Sequence, residues 1–226
     1  IEVIHRSGEH LLLLINEILD LSKIEARRLE LAPSPMYLPH FLADIAELVR
    51  VRAQQKDLMF HVEFDANLPN GILADEKRLR QVLLNLLGNA VKFTLSGNIT
   101  FRVLASCSSL LPQTMLVQED GAAAPEVHAC RRIRFEIRDT GVGIPPEQSD
   151  QIFAPFHQVK DRRVKKEEGT GLGLSISQQL VRLMGGEITV ESIVGQGSSF
   201  WFELEFPVEE SMIAPPPKES MPMPVG

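Results

Sequence analysis

The chain has 226 residues, 44% of them hydrophobic and 23% charged, enough for one globular domain of ordinary size with accessory segments. Its 23 Lys plus Arg against 30 Asp plus Glu leave a net charge of −7, with the basic residues dispersed; this argues against nucleic acid or an anionic membrane surface as a main partner. The longest apolar run, Leu11 to Ile15, falls far short of the roughly 20 residues that span a bilayer.

Apolar residues at Ile4, Leu11 and Ile18 in one heptad register and at Leu14 and Leu21 in another predict a long, coiled-coil-like helix over 1–32. Ser7, Glu25 and Arg28 interrupt the seam, and the pattern fits equally a helix that pairs with a second copy and one packed on its own domain. Pro33, Pro35 and Pro39 then predict a linker and a domain boundary near residue 33. A helix follows over 41–55 and a strand over 58–64, where Leu58, Phe60, Val62 and Phe64 alternate with polar residues or Met59. Asp75 is a good N-cap for a second helix running to about Phe93. Alternation at Ile99, Phe101 and Val103 and at Ile133, Phe135 and Ile137 predicts two strands. The stretch between them, about 105–131, reads as a long loop or insertion. The last third holds a helix over 174–184 closed by Gly185 and Gly186, and strands over 187–194 and 198–206. The fold class expected is α+β, a two-layer sandwich with a mixed sheet. Residues 209–226 read as a proline-rich tail or linker, and the chain, which opens without a methionine, as a piece of a longer protein. Cys107 and Cys130 form no C-x-x-C pair, so neither a zinc site nor a disulfide framework is indicated, and a reducing, cytoplasmic setting fits.

Three segments carry candidate chemistry. On the second helix Leu79, Val82, Leu83, Leu86 and Ala90 form an apolar face, while Arg78, Gln81, Asn85, Asn89 and Lys92 stack on another. Asparagine is a poor helix-interior residue; an amide oxygen can ligate Mg²⁺ and an ammonium can hold a phosphate, although a solvated polar face is the ordinary meaning of such a stripe. Asp139-Thr-Gly141-Val-Gly143-Ile144 follows a strand directly, so a carboxylate there could accept from an exocyclic amine, or simply close its own turn. Gly169-Thr170-Gly171-Leu172-Gly173-Leu174 opens the next helix and offers free N–H groups to a phosphate. It lacks the ending of a P-loop and the preceding strand of a dinucleotide fingerprint. Just upstream, Lys160, Arg162, Arg163, Lys165 and Lys166 read as a solvated loop or as a lid over phosphates.

Together these motifs resemble the catalytic, ATP-binding domain of histidine protein kinases, which shares the Bergerat-type fold of gyrase, heat-shock chaperone and mismatch-repair ATPases. Asn85-Leu-Leu-Gly-Asn89-Ala-Val-Lys92 looks like the N box, Asp139 to Ile144 the G1 box, Phe153-Ala-Pro-Phe156 the F box, Gly169 to Leu174 the G2 box, and Gly195-Gln-Gly197-Ser-Ser199-Phe the closing glycine turn. Residues 33–208 would be the catalytic domain. Leu19-Asp-Leu-Ser-Lys-Ile-Glu-Ala looks like the second helix of the dimerisation domain.

The resemblance implies ATP and Mg²⁺ as cofactors, with Asp139 anchoring adenine and Asn89 ligating the metal. Asn85 and Lys92 would lie beside metal and phosphates as further catalytic residues; Gly141 and Gly143 would shape the adenine turn. Thr170, Gly171, Leu172 and Gly173 would serve the phosphates. Ser199 would reach adenine through water, and Ile144, Leu174 and Phe202 would line its pocket. An amide at Asn85, where related ATPases carry a Glu, removes a general base and suits transfer to a protein histidine over hydrolysis. The acceptor box itself is absent, and neither His5 nor His10 fits it. The implied activity is therefore that of the catalytic part of a two-component sensor histidine kinase, with a response-regulator receiver domain as partner, homodimerisation through the first helix, and ATP binding without stable autophosphorylation. The alternatives are a degenerate, nucleotide-gated regulatory module and an ATP-hydrolysing relative of the gyrase and chaperone group.

Overall fold

The computed structural model describes residues 8, 11, 15, 18–24, 26, 28–106, 130–149, 151–157 and 170–209. Most of the predicted first helix, His5, His10, Cys107, the basic stretch 160–166, Gly169 and the tail from 210 lie outside the described residues. Of the first helix, residues 18–24 (α1) are helical.

Five strands form one mixed sheet in the order β2 (Met59–Phe64), β4 (Asn98–Ser106), β5 (Cys130–Asp139), β7 (Gly197–Pro207), β6 (Thr189–Ile193). Only the β2–β4 pair is parallel. Because strand side chains alternate between faces, the pattern expected from Ile99, Phe101, Val103, Ile133, Phe135 and Ile137 becomes one wall of the core, and all six are fully buried. The rings of Phe135 and Phe202 stack there at 5.0 Å. Against this wall pack α2 (Leu38–Gln54), α3 (Glu76–Phe93) and α4 (Gly173–Leu183). The opposite face is a charged lattice, with Arg102 bonded to Glu63 at 2.6 Å and Arg134 lying 4.8 Å from the Trp201 ring.

The proline-rich segment departs from the predicted linker. Ser34–Tyr37 is a short strand, β1, antiparallel to β3 (Gly71–Ala74). Pro35 is tolerated because this two-stranded ribbon leaves β1 with a free edge, and Pro39 occupies the first turn of α2, where no N–H is missed. Leu21, Leu29 and Met36 are buried in the same core as α2 and α3.

Asp75 caps α3 as expected, accepting from the Arg78 N–H at 3.0 Å. The polar stripe of α3 divides in two. Its first half is engaged by α1: Asp20 accepts from Arg78 Nη1 at 2.9 Å and from Gln81 Nε2 at 3.1 Å. Its second half, Asn85, Asn89 and Lys92, faces the site described next.

Candidate functional site

Three loops meet at the second half of α3. The turn after β5 is fastened to the end of α3, since the Val142 N–H donates to the Phe93 carbonyl at 3.2 Å and a Cβ on Gly141 would press on that carbonyl. The same turn is fastened to the β6–β7 hairpin: the Gly195 N–H donates to the Val142 carbonyl at 2.8 Å. Gly143 adopts φ of 71°, which side chains rarely tolerate, and lies against the Ile193 carbonyl.

Asp139 closes this corner. It is 7% exposed, and its carboxylate accepts from the Gly141 N–H at 2.8 Å and from the Ser198 N–H. Burial pushes its pKa above the ordinary carboxylate value, against the pull of those two bonds. Beside it Ser198, 8% exposed, is the register partner of Asp139 across β5 and β7. Its hydroxyl lies 2.9 Å from Ser192 Oγ, which also receives the Ile144 N–H at 2.7 Å and donates to the Gly197 carbonyl at 3.0 Å.

Two expectations change here. Ser199 pairs with Arg138 and Glu191 on the charged face of the sheet, opposite to Asp139, so the hydroxyl beside the carboxylate is that of Ser198. Phe202 is fully buried and stacked on Phe135 within the core and does not line a pocket. The reason is strand parity: Phe200, Phe202 and Leu204 point inward, so Ser198 does and Ser199 does not. That alternation is visible in the sequence and was the signal for Ser198 and, through Val190, for Ser192. Ile144 and Leu174 are partly buried against the core.

On the other side, α4 begins at Gly173 with no side-chain cap from Leu172, which leaves its first N–H groups without a partner within the helix. Thr170 Oγ1 accepts from the Leu172 N–H at 3.0 Å, shaping the approach. The F box abuts this turn: Phe156, 67% exposed, donates its N–H to the Gly171 carbonyl at 3.0 Å. Gly173 has no room for a side chain, because a Cβ would collide with the Asn85 amide. That amide donates from Nδ2 to Ser177 Oγ at 2.8 Å, and Ser177 is 1% exposed on α4. Asn85 is thus a strut between α3 and the start of α4. Ser177 is a polar residue on the buried face of its helix, which is its only mark in the sequence. One turn further along α3, Asn89 is half-buried and makes no side-chain hydrogen bond among the described residues. Lys92, at the end of the stripe, places Nζ 5.4 Å from the Phe93 ring.

The buried Asp139 carboxylate beside Ser198 at one end and the start of α4 at the other both adjoin α3, on which the Asn89 amide has no side-chain partner among the described residues. Residues 74–208 match the family profile of histidine kinase-, DNA gyrase B- and HSP90-like ATPases. The chain belongs to this family. It is 38% identical over 226 residues to the aerobic respiration control sensor protein ArcB of Escherichia coli K12, covering 99% of this chain and 26% of that protein. It is 34% identical over 213 residues to the signal transduction histidine-protein kinase BarA of the same organism, covering 94% of this chain and 21% of BarA. The chain therefore spans about a quarter of the length of these curated relatives. Among solved structures it resembles full-length ShkA in complex with AMPPNP, with a TM-score of 0.70 and 36% identity over 92% of this chain and 38% of that one. The mixed sheet and its single helical layer are the fold of histidine kinase catalytic domains.

Proposed function

We propose that this chain is the catalytic portion of a two-component sensor histidine kinase, binding Mg·ATP so that its γ-phosphoryl group can pass to a histidine on a dimerisation helix. The observation that carries this reading is the juxtaposition of the buried Asp139 carboxylate with the uncapped start of α4, braced on α3 by Asn85. Support comes from relatives named as sensor kinases and from a neighbour solved with AMPPNP.

Asp139 would accept the exocyclic amine of adenine, with Gly141, Gly143 and Ile144 shaping its turn. The N–H groups of Gly171, Gly173 and Leu174 would donate to phosphate oxygens, with Thr170 and Leu172 holding the turn through their own hydrogen bond, and Lys92 would add a positive charge. The neutral Asn89 amide, without a side-chain partner among the described residues, suits one coordination position of Mg²⁺, a cation that is ordinarily held by few protein ligands plus phosphates. Bound there, the ion would neutralise charge on the transferring phosphoryl group. The remaining work of this chain is positioning.

The same reading divides the chain into 1–32, the second helix of a dimerisation domain, 33–208, the catalytic domain with an insertion at about 105–131, and 209–226, a linker. It takes a second copy as partner through the first helix, a response-regulator receiver domain as the next acceptor, and a cytoplasmic location. Among the described residues no helix is long and apolar enough to cross a membrane.

Calorimetry of the whole chain with ATP, with and without Mg²⁺, tests the site. Binding is expected, with Asn89→Ala erasing most of the Mg²⁺ dependence. A folded chain that does not bind millimolar ATP would sink the proposal.

A further inference from the structure

The hydroxyl cluster behind Asp139 has only one self-consistent arrangement of protons. Ser192 Oγ has three polar neighbours: the Ile144 N–H at 2.7 Å, the Gly197 carbonyl at 3.0 Å and Ser198 Oγ at 2.9 Å. A backbone N–H can only donate and a carbonyl can only accept. The single proton of Ser192 is therefore committed to Gly197. The contact with Ser198 is then attractive only if Ser198 donates; the opposite choice would leave two oxygens facing each other at 3.0 Å with no hydrogen between them.

With its proton pinned, Ser198 shows only lone pairs to anything else. Its register partner across β5 and β7 is Asp139, whose carboxylate also accepts. We infer that Ser192 is a specificity-determining residue: by fixing the Ser198 proton it makes the Asp139–Ser198 corner accept-only, so that the site selects a base edge carrying an amine and rejects one carrying a carbonyl. An intervening water preserves this polarity when both its hydrogens are taken by Asp139 and Ser198. A water that gives both hydrogens to Asp139 and Ser198 presents only its own lone pairs to the base, so the base must still bring the donor. The inference rests on the ATP-site reading above and adds to it the residue that sets 6-amino over 6-oxo discrimination.

The test is the ratio of ATP to inosine triphosphate affinity, measured by calorimetry on the whole chain. The two nucleotides differ at the position that meets this corner, amine against carbonyl. Wild type should prefer ATP. Ser192→Ala frees the Ser198 hydroxyl to rotate and donate, so the ratio should narrow by roughly three- to tenfold, the worth of one hydrogen bond. Ser192→Thr, which keeps the hydroxyl, should restore it. A purely structural role would weaken both nucleotides alike and leave the ratio unmoved. An unchanged ratio in folded Ser192→Ala overturns the inference while leaving the ATP site standing. Should that variant not fold, Ser198→Ala decides by the same ratio, a narrowing supporting the inference and no change overturning it. Wild type that binds neither nucleotide overturns both readings.

Discussion

At the end of β5 the Asp139 carboxylate is buried with two N–H donors on it, whereas along α3 the Asn89 amide is half-buried and unpaired among the described residues, and the start of α4 has no cap. One end of the site has its hydrogen bonds made within the protein, and the other, among the described residues, is open. A finished corner can discriminate, because each atom in it has a fixed hydrogen-bonding sense. An open one can grip a flexible polyphosphate, because the first N–H groups of a helix have no partner within the helix itself. The open end is held at Asn85, whose contacts with Ser177 and Gly173 tie the start of α4 to the helix that bears Asn89.

The largest effect is expected at the finished corner. Asp139→Asn keeps the shape but replaces an acceptor-only group with a mixed one, and should cost about 100-fold in ATP affinity, near 3 kcal/mol. Its stability should move the other way. Burial raises the pKa of Asp139 in the folded state, so the native protein holds that proton more tightly than the unfolded chain does. The stabilisation this gives is complete below the ordinary carboxylate value and lost as pH rises through the raised one. Asparagine never ionises and loses nothing there. Melting curves should coincide in acid and separate toward neutral pH, with the Asn variant higher. A neutral-pH Tm below that of wild type would show that the carboxylate is held by stronger bonds than its burial opposes.

Next in size is the joint. Gly173→Ala would drive a methyl into the Asn85 amide, and overpacking of this kind costs about 1–3 kcal/mol, or several degrees of Tm in a domain of this size. Gly88, on α3 itself, has open space where a Cβ would stand. Alanine there should stabilise by about 0.5–1 kcal/mol, since glycine inside a helix is entropically unfavourable. Thermal melts of the two variants therefore separate a glycine required by contact from one that is not; equal shifts would mean that α4 can move aside.

Much of this architecture was legible because long elements carry their own period. The apolar spacing of Leu79, Val82, Leu83 and Leu86 with a capping Asp75, and the alternation around Phe101 and Phe135, could hardly be read otherwise. What was misread depended on neighbours distant in sequence. Pro33, Pro35 and Pro39 announce a break, yet Ser34–Tyr37 finds a partner strand at Gly71–Ala74. The choice of Ser199 over Ser198 was an error of one residue, which in a strand is the difference between the two faces of a sheet. Asn85 was readable as part of a polar stripe; its role as a strut was not, because Ser177 lies 92 residues away.

Ser177→Ala gives the smallest and most diagnostic change. The substitution removes one oxygen from a site that is 1% exposed and leaves Asn85 Nδ2 without its acceptor, a loss of about 1 kcal/mol. If Asn85 serves only to pack α3 on α4, that cost appears as a lower Tm and nothing more. If it holds the open end of the site in register with Asn89, ATP affinity should fall roughly fivefold, the equivalent of that same hydrogen bond. Adenosine, which in the proposed reading would engage only the finished corner at Asp139, should bind as before. Titrating both ligands into wild type and variant gives the answer as a ratio, independent of any small loss of folded protein. A parallel fall for adenosine would mean that the two ends are not separate after all, and that the rigidity of the Asp139 corner reaches through α3 to the phosphates.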